Sequence, residues 1–351
     1  MSRPDVTVII LHAEPGPNTG PLTRALAAAR ERLADEHRRG FLAAGATGAA
    51  VVAGPPDGLA FGTRLRGVAA GLSDAGLVIL GSGAVPLATA ADRRAFVDAA
   101  AAPAPGALAN NRYSADIVAI ARAGDILATL PDDLATDNAL PRWLDECAGI
   151  HVADLRRYWR LAIDIDGPLE LAVLGGRWRA ALPPSATDRV DDRLARLRAV
   201  AADRAAELAI AGRTSAGTVG WLEGHVAARV RALIEERGLR TSRPGQRPPT
   251  SVLGLLLDRD GPASLGRILA RLAEAAVVDS RVLLAHRLGP DEAAWPAAED
   301  RFASDLLLHE RIVDPWLREL TRAAAEAPIP VLLGGHTLVG PGARLALRPA
   351  H

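Results

Sequence analysis

Short apolar runs recur along the chain, closed by glycine, proline or a polar residue and commonly followed by a longer stretch with helical periodicity. In the first half this pattern predicts strands over 6–11, 49–53 and 77–80, and two short strands around a polar loop within 107–120. Helices are predicted over 22–38, ending near 41–46, from Phe61 to about Asp74, and over 91–101. A further helix starts within 136–144, with Asp137 or Asn138 as its cap. Residues 150–155 approach the last strand, and Trp159 to Asp166 reads as a buried strand. Gly-Pro and an apolar helical start, Leu169 to Leu174, come next.

The second half repeats the alternation. Helices are predicted over 188–206, 216–237 (with Trp221 and His225), 265–275, 299–307 and 315–327. Strands are predicted over 207–215, the unbroken apolar 252–258, the strand-like run 276–287, and 329–337, with an Arg/Pro-rich loop at 240–249. Strands alternating with helices imply an α/β protein. The Pro/Gly-bearing stretch 175–185 divides it into domains at 1–178 and 188–351, the second with a Rossmann-like parallel sheet.

Chemistry concentrates where strands end, since open α/β sheets place ligands at their carboxyl edge. Side chains alternate along a strand, so Asp164 and Asp166 would share a face and could grip one hard cation through oxygen. The plainer alternative makes Asp166 the cap of the helix opening at Pro168 and leaves Asp164 solvated. After the first strand, Gly16 and Gly20 punctuate a loop leading into a helix, the layout of a phosphate cradle, with Arg24 the nearest cation. Arg64 and Arg66 are candidate substrate contacts. Asn110, Asn111 and Arg112 offer amide and guanidinium donors to a sugar, base or phosphate, or form an Asn-rich hairpin turn. In the second half, Arg213-Thr214-Ser215, Asp258, Asp279-Ser280-Arg281, His286 and Gly335-His336-Thr337 mark a second candidate edge.

Ile163-Asp164-Ile165-Asp166-Gly167-Pro168-Leu169 resembles the D-I-D-x-P-x-x-L segment of compact GT-A-like nucleotidyltransferases, the molybdenum-cofactor nucleotidyltransferases and phospholactate guanylyltransferases. Gly83, Pro86, Leu87, Thr89 and Asp92 fit that family's loop after the third strand. The resemblance covers residues 6 to about 176. It implies a GT-A-like, Rossmann-like N-terminal sheet and Mg2+ held by Asp164 and Asp166. It further implies an NTP on Gly16, Gly20, Arg24 and Arg64, to which Asn110 and Asn111 add candidate donors on their own chemistry, and nucleotidyl transfer to a phosphorylated acceptor. Ala84 stands where the family's metal-binding aspartate stands, and the first loop lacks the usual lysine.

Composition narrows these readings. Apolar content of 49% with 23% charged residues is that of a globular protein, and 351 residues suffice for two cores. No apolar run approaches the length of a membrane span, and the N-terminus shows no signal-peptide pattern. One cysteine, Cys147, excludes an internal disulfide framework, so a cytoplasmic location is expected. The 41 basic residues balance 41 acidic ones, giving no electrostatic case for nucleic acid. All the basic residues are arginine, which removes lysine Schiff-base chemistry and a P-loop lysine. A rival to the enzyme therefore stands: a catalytically degenerate nucleotide- or ligand-binding protein with its live site in the C-terminal domain.

Overall fold

The computed structural model describes residues 4–55, 58–70, 75–134, 136–239 and 247–348. They form two compact units, Met1–Pro17 with Ala27–Ile165, and Asn18–Leu26 with Asp166–His351. The division thus falls between the two candidate aspartates, where the sequence placed it between 178 and 188. The expected helix end near Asp74 and most of the 240–249 loop lie outside the described residues.

The first unit is built on six strands: β1 Val6–Ala13, β2 Gly48–Gly54, β3 Gly76–Gly81, β4 Gly106–Ala109, β5 Ile117–Ala121 and β6 Val152–Asp154. They lie in the order β2-β1-β3-β5-β4-β6. β5 runs antiparallel to β3 and β4, and the remaining pairings are parallel. Strand alternation divides β1 between two cores. Val8 and Ile10 pack with Phe41, Phe96 and Val97 on one face, while Ile9 packs with Leu65, Leu127 and Leu140 on the other. Burying each such side chain stabilises the unit by about 1.5–3 kcal/mol.

The second unit holds β7 Glu207–Gly212, β8 Arg229–Ile234, β9 Ala275–Asp279 and β10 Val331–Gly334, all parallel, in the order β10-β9-β7-β8. β7, β9 and β10 are almost wholly buried, as expected of a parallel sheet covered on both faces.

Several expected elements change. Trp159–Ala162 is a 3-10 turn, and beyond it only Asp164 makes an isolated bridge, to Ala84, so this segment is not a strand. Residues 252–258 form a helix, Val252–Asp260. Only Val252 in that run is β-branched, the leucines favour helix, and Ser251 Oγ caps it by accepting from Gly254 N at 3.2 Å. The expected 216–237 helix stops at His225 because Val226 turns extended, and Arg229–Ile234 pairs beside β7 instead. Of 276–287, only the start is strand; Asp279 caps a helix over Ser280–Leu288. The Leu140–Glu146 helix has no side-chain cap, and Asn138 accepts from Ser114 Oγ at 2.8 Å. Gly167, not Asp166, precedes the Pro168–Leu174 helix.

Replacing the cap, Ser251→Ala, should lower stability by about 1 kcal/mol in urea denaturation. An unchanged midpoint would show that the Val252–Asp260 helix does not depend on it.

Candidate functional site

In the first unit residues 163–165 meet the loop that follows β3. Val85 N donates to Ile163 O at 3.2 Å and Ile165 N to Gly83 O at 3.0 Å, so Ala84 and Asp164 face each other across a bridge. The loop is held from three sides. Thr89 and Asp92 form a capping box on the Ala90–Ala100 helix, and Arg160 clamps Asp92 through two nitrogens. Burial alone would raise the Asp92 carboxyl, but Arg160 and Thr89 hold it below its ordinary range. His37 reaches the Ala84 carbonyl at 2.8 Å, and burial lowers its ring to about 4, so it is neutral and Nε2 is the donor. Val85 sits at φ +44°, a costly conformation for a β-branched residue.

What surrounds Asp164 is not a cation cage. A Cβ at Gly83 would lie 2.9 Å from Asp164 Oδ1 and 3.0 Å from Arg30 Nε, so both side chains crowd this glycine. Arg30 Nε also donates to Ile165 O at 2.7 Å. Ala84 has no oxygen to contribute, and no group of three or more His, Cys, Asp or Glu gathers as metal ligands among the described residues. The alternation that would have put Asp164 and Asp166 on one face required a strand, which is not formed. The donors here do not fit the Mg2+ that the resemblance implies.

Most of the other first-half candidates are also committed elsewhere. Leu22 N and Thr23 N each donate to the Glu299 carboxylate at 3.0 Å, joined by Thr23 Oγ1 at 2.9 Å. That carboxylate occupies the helix start the sequence assigned to phosphate. It lies so close to Gly20 that a Cβ there would be 2.1 Å from it. Arg24 turns back to the Thr19 carbonyl, and Gly16 lies in an open turn. Asn110 is buried with all its capacity used: Nδ2 donates to Asp116 and to Leu161 O at 2.8 Å, and Oδ1 accepts from Asp116 N at 3.0 Å. It is a structural staple. Asn111 accepts from Tyr113 N at 3.1 Å, the Asn turn, and Arg112 pairs with Asp145 at 2.8 Å. Arg64 lies half-buried on the Phe61–Ala69 helix, while Arg66 pairs with Asp132 at 3.3 Å.

Strand order identifies positions the sequence could not. In each sheet the chain leaves one strand for a neighbour on one side, then returns to the other side, and a crevice opens at that reversal. In the first unit it lies between β1 and β3, where His12 Nδ1 and Ser82 Oγ pair at 3.0 Å. In the second it lies between β7 and β9, where Arg213 grips Asp279 at 2.6 and 3.1 Å. Gly212 permits this approach, since at φ +125° a Cβ would lie 2.2 Å from that of Asp279.

Around Asp279 the second unit gathers an unusual set of groups. Arg281 forms a bidentate pair with Asp305 at 2.5 and 2.6 Å, which keeps it protonated in spite of burial. Glu170, from the Pro168–Leu174 helix, lies beside Asp305. A Cβ at Gly167 would be 3.1 Å from one carboxyl and 3.4 Å from the other. Burial, then the charges of Asp305 and Asp166, push Glu170 up to about 8, against the opposing charge of Arg281. Glu170 therefore carries a proton at neutral pH. At the mouth, His336 Nδ1 stands 3.8 Å from Asp166 Oδ2, both side chains more than a third exposed. The edge is rich in acceptors, and it holds one acid poised to donate. Asp258 and His286 do not join it; they pair with each other at 3.0 Å.

Comparison with known proteins gave no match, neither to a protein-family model nor to a curated protein.

Glu170 makes a pH-dependent contribution with a definite sign. Its carboxyl loses its proton near pH 4.5 when unfolded and near 8 when folded, so the folded state binds more protons between those values and loses stability as pH rises. Glu170→Gln should melt progressively higher relative to the parent from pH 5 to pH 8.5. A constant difference across that range would show that Glu170 titrates normally.

Proposed function

We propose that the chain is a catalytically degenerate, nucleotidyltransferase-like protein that binds a nucleotide or related phosphorylated ligand, its working site at the carboxyl edge of the second unit's parallel sheet. One observation carries this reading: the carboxyl edge of this sheet gathers buried Asp279 with Arg213 and Arg281, and the protonated Glu170 beside Asp305, whereas Asp164 lies opposite Ala84, which offers a metal no oxygen. Carboxylate acceptors beside a neutral acid suit the hydroxyls and amino groups of a sugar or base. A strongly perturbed carboxyl at such an edge is a mark of a functional site.

Nucleotidyl transfer from an NTP to a small phosphorylated acceptor is the second reading, and the Ala84–Asp164 bridge favours it. It aligns the loop after the third strand with the aspartate segment, as the family resemblance requires.

A thermal-shift panel of NTPs in Mg2+ and in EDTA separates the two. Binding without metal chemistry predicts that at least one nucleotide raises Tm equally in both. A shift that needs Mg2+ would favour transfer, and no shift with any nucleotide would overturn the binding reading. Because Ala84 faces Asp164, Ala84→Asp should melt below the parent in EDTA and recover on Mg2+ titration, where the parent shows no response. If the variant gains nothing from Mg2+, position 84 does not share a site with Asp164.

A further inference from the structure

The second unit's sheet is covered along one outer strand and open along the other. β10 is wholly buried, whereas β8, at the opposite end of the order, is a mixture of half-buried and exposed residues. Arg229 N donates to Ala206 O at 2.9 Å and Glu235 N to Gly212 O at 3.0 Å. In this parallel ladder residues 229, 231, 233 and 235 therefore turn their backbone groups towards β7. The N–H and C=O groups of Val230, Ala232 and Ile234 point the other way and have no partner among the described residues. Natural sheets usually blunt such an edge with proline, a bulge or a covering segment. β8 contains no proline, its register with β7 is unbroken, and Ile234 is 47% exposed.

The charges along this strand make it complementary to itself. Arg229 and Arg231 stand at its start, and Glu235 and Glu236 follow its end. Set antiparallel about a two-fold axis through Ala232, Ala232 meets its own copy and Val230 meets Ile234 of the second copy. All three outward residues then sit at hydrogen-bonded positions, each facing pair exchanging both of its bonds. Residues directly opposite share a face, so Val230, Ala232 and Ile234 form an apolar strip across the axis. On the other face Arg229, now paired with Glu207 at 2.7 Å, comes opposite Glu235 of the second copy. A shift of two residues in one direction sets Arg231 against its own copy, and in the other it loses a facing pair. β2, the exposed outer strand of the first sheet, reads Gly-Ala-Ala-Val-Val-Ala-Gly and has no charge to fix a register. Beside the acidic end of β8, Val252 and Leu255 are 52% and 54% exposed on the helix whose start Glu235 holds, which extends the apolar surface.

We propose that β8 is a self-association surface: it pairs antiparallel with β8 of a second copy of this chain, joining two four-stranded sheets into one. Backbone bonds supply the attraction, and the Arg229–Glu235 contacts select the antiparallel register. This interface is independent of the ligand reading. One strand pair is a small contact, so the dimer should dissociate on dilution through the micromolar range.

The test is sedimentation of the full chain across a dilution series. Ala232→Pro removes the N–H at the axis and spares the ladder with β7, since proline is tolerated on an outer strand where its missing N–H faced solvent. It should weaken self-association at least tenfold while melting like the parent at a dilution where both are monomers. Arg229→Glu sets like charges opposite each other and should weaken association severalfold, less so at high salt. Register is read separately in a Cys147→Ser background. There Ala232→Cys should give a disulfide-linked dimer under mild oxidation, the facing Cα atoms being about 5.5 Å apart. Val230→Cys should not, because its two copies would stand about 14 Å apart. A parent that stays monomeric into the high micromolar range would overturn the proposal. So would a dimer that Ala232→Pro leaves intact, or one that crosslinks through position 230 and not 232. Capture of a strand from a different protein, with no self-association, would overturn it as well.

Discussion

A carboxylate withdrawn from water costs several kcal/mol unless it is both paired and hydrogen-bonded, and Asp279 is 1% exposed. Much of the second unit's carboxyl edge answers that demand. Arg213 arrives from β7 to pair with it, which requires Gly212 to have no side chain and to adopt a positive φ. The same carboxylate accepts from Arg281 N and so starts the helix after β9. Arg281 turns away to Asp305, while Ser280 Oγ reaches the Gly334 carbonyl at 3.2 Å. One buried charge thereby fixes the ends of β7, β9 and β10 relative to each other. The same bonds that keep the aspartate folded away make this edge rigid.

Such an arrangement leaves a surplus of acid. Two arginines neutralise two aspartates, and Glu170 is left with no cation of its own. It keeps its proton instead of its charge, which is the ordinary resolution when a carboxyl is buried among other carboxyls. In the first unit Asp164 lies opposite Ala84, and Arg30 Nε is spent on the Ile165 carbonyl.

Strands with β-branched residues were legible from the sequence, as Val6 to Leu11 and Leu77 to Leu80 show. So was the loop from Gly83 to Asp92, whose capping box is a local pattern. Val252 to Asp258 was not, because a short apolar run fits a buried helix as well as a strand, and the deciding bond, from Gly254 N to Ser251 Oγ, is easily overlooked. Arg229–Ile234 was missed because its pattern of exposure follows neither period cleanly. Among candidate site residues, the Arg213 and Asp279 neighbourhoods were marked by their place at strand ends. Glu170 and Asp305 read as ordinary helix acids, and only their approach through Gly167 reveals them. Asn110 misled for the converse reason: an amide that looks available to a ligand spends every donor and acceptor on its own chain.

Glu299 holds the first turn of the Pro21–Ala43 helix from 276 residues away along the chain. During synthesis the N-terminal segments emerge first and begin to fold while the remainder is still being made. The start of this helix cannot obtain its carboxylate until residue 299 has left the ribosome. Until then, three donors at Leu22 and Thr23 have only water, so this turn stays frayed while the body of the helix packs. Synthesis of residue 299 is thus recorded 276 residues upstream, and a chain that stops short of it lacks the carboxylate that Leu22 and Thr23 bind.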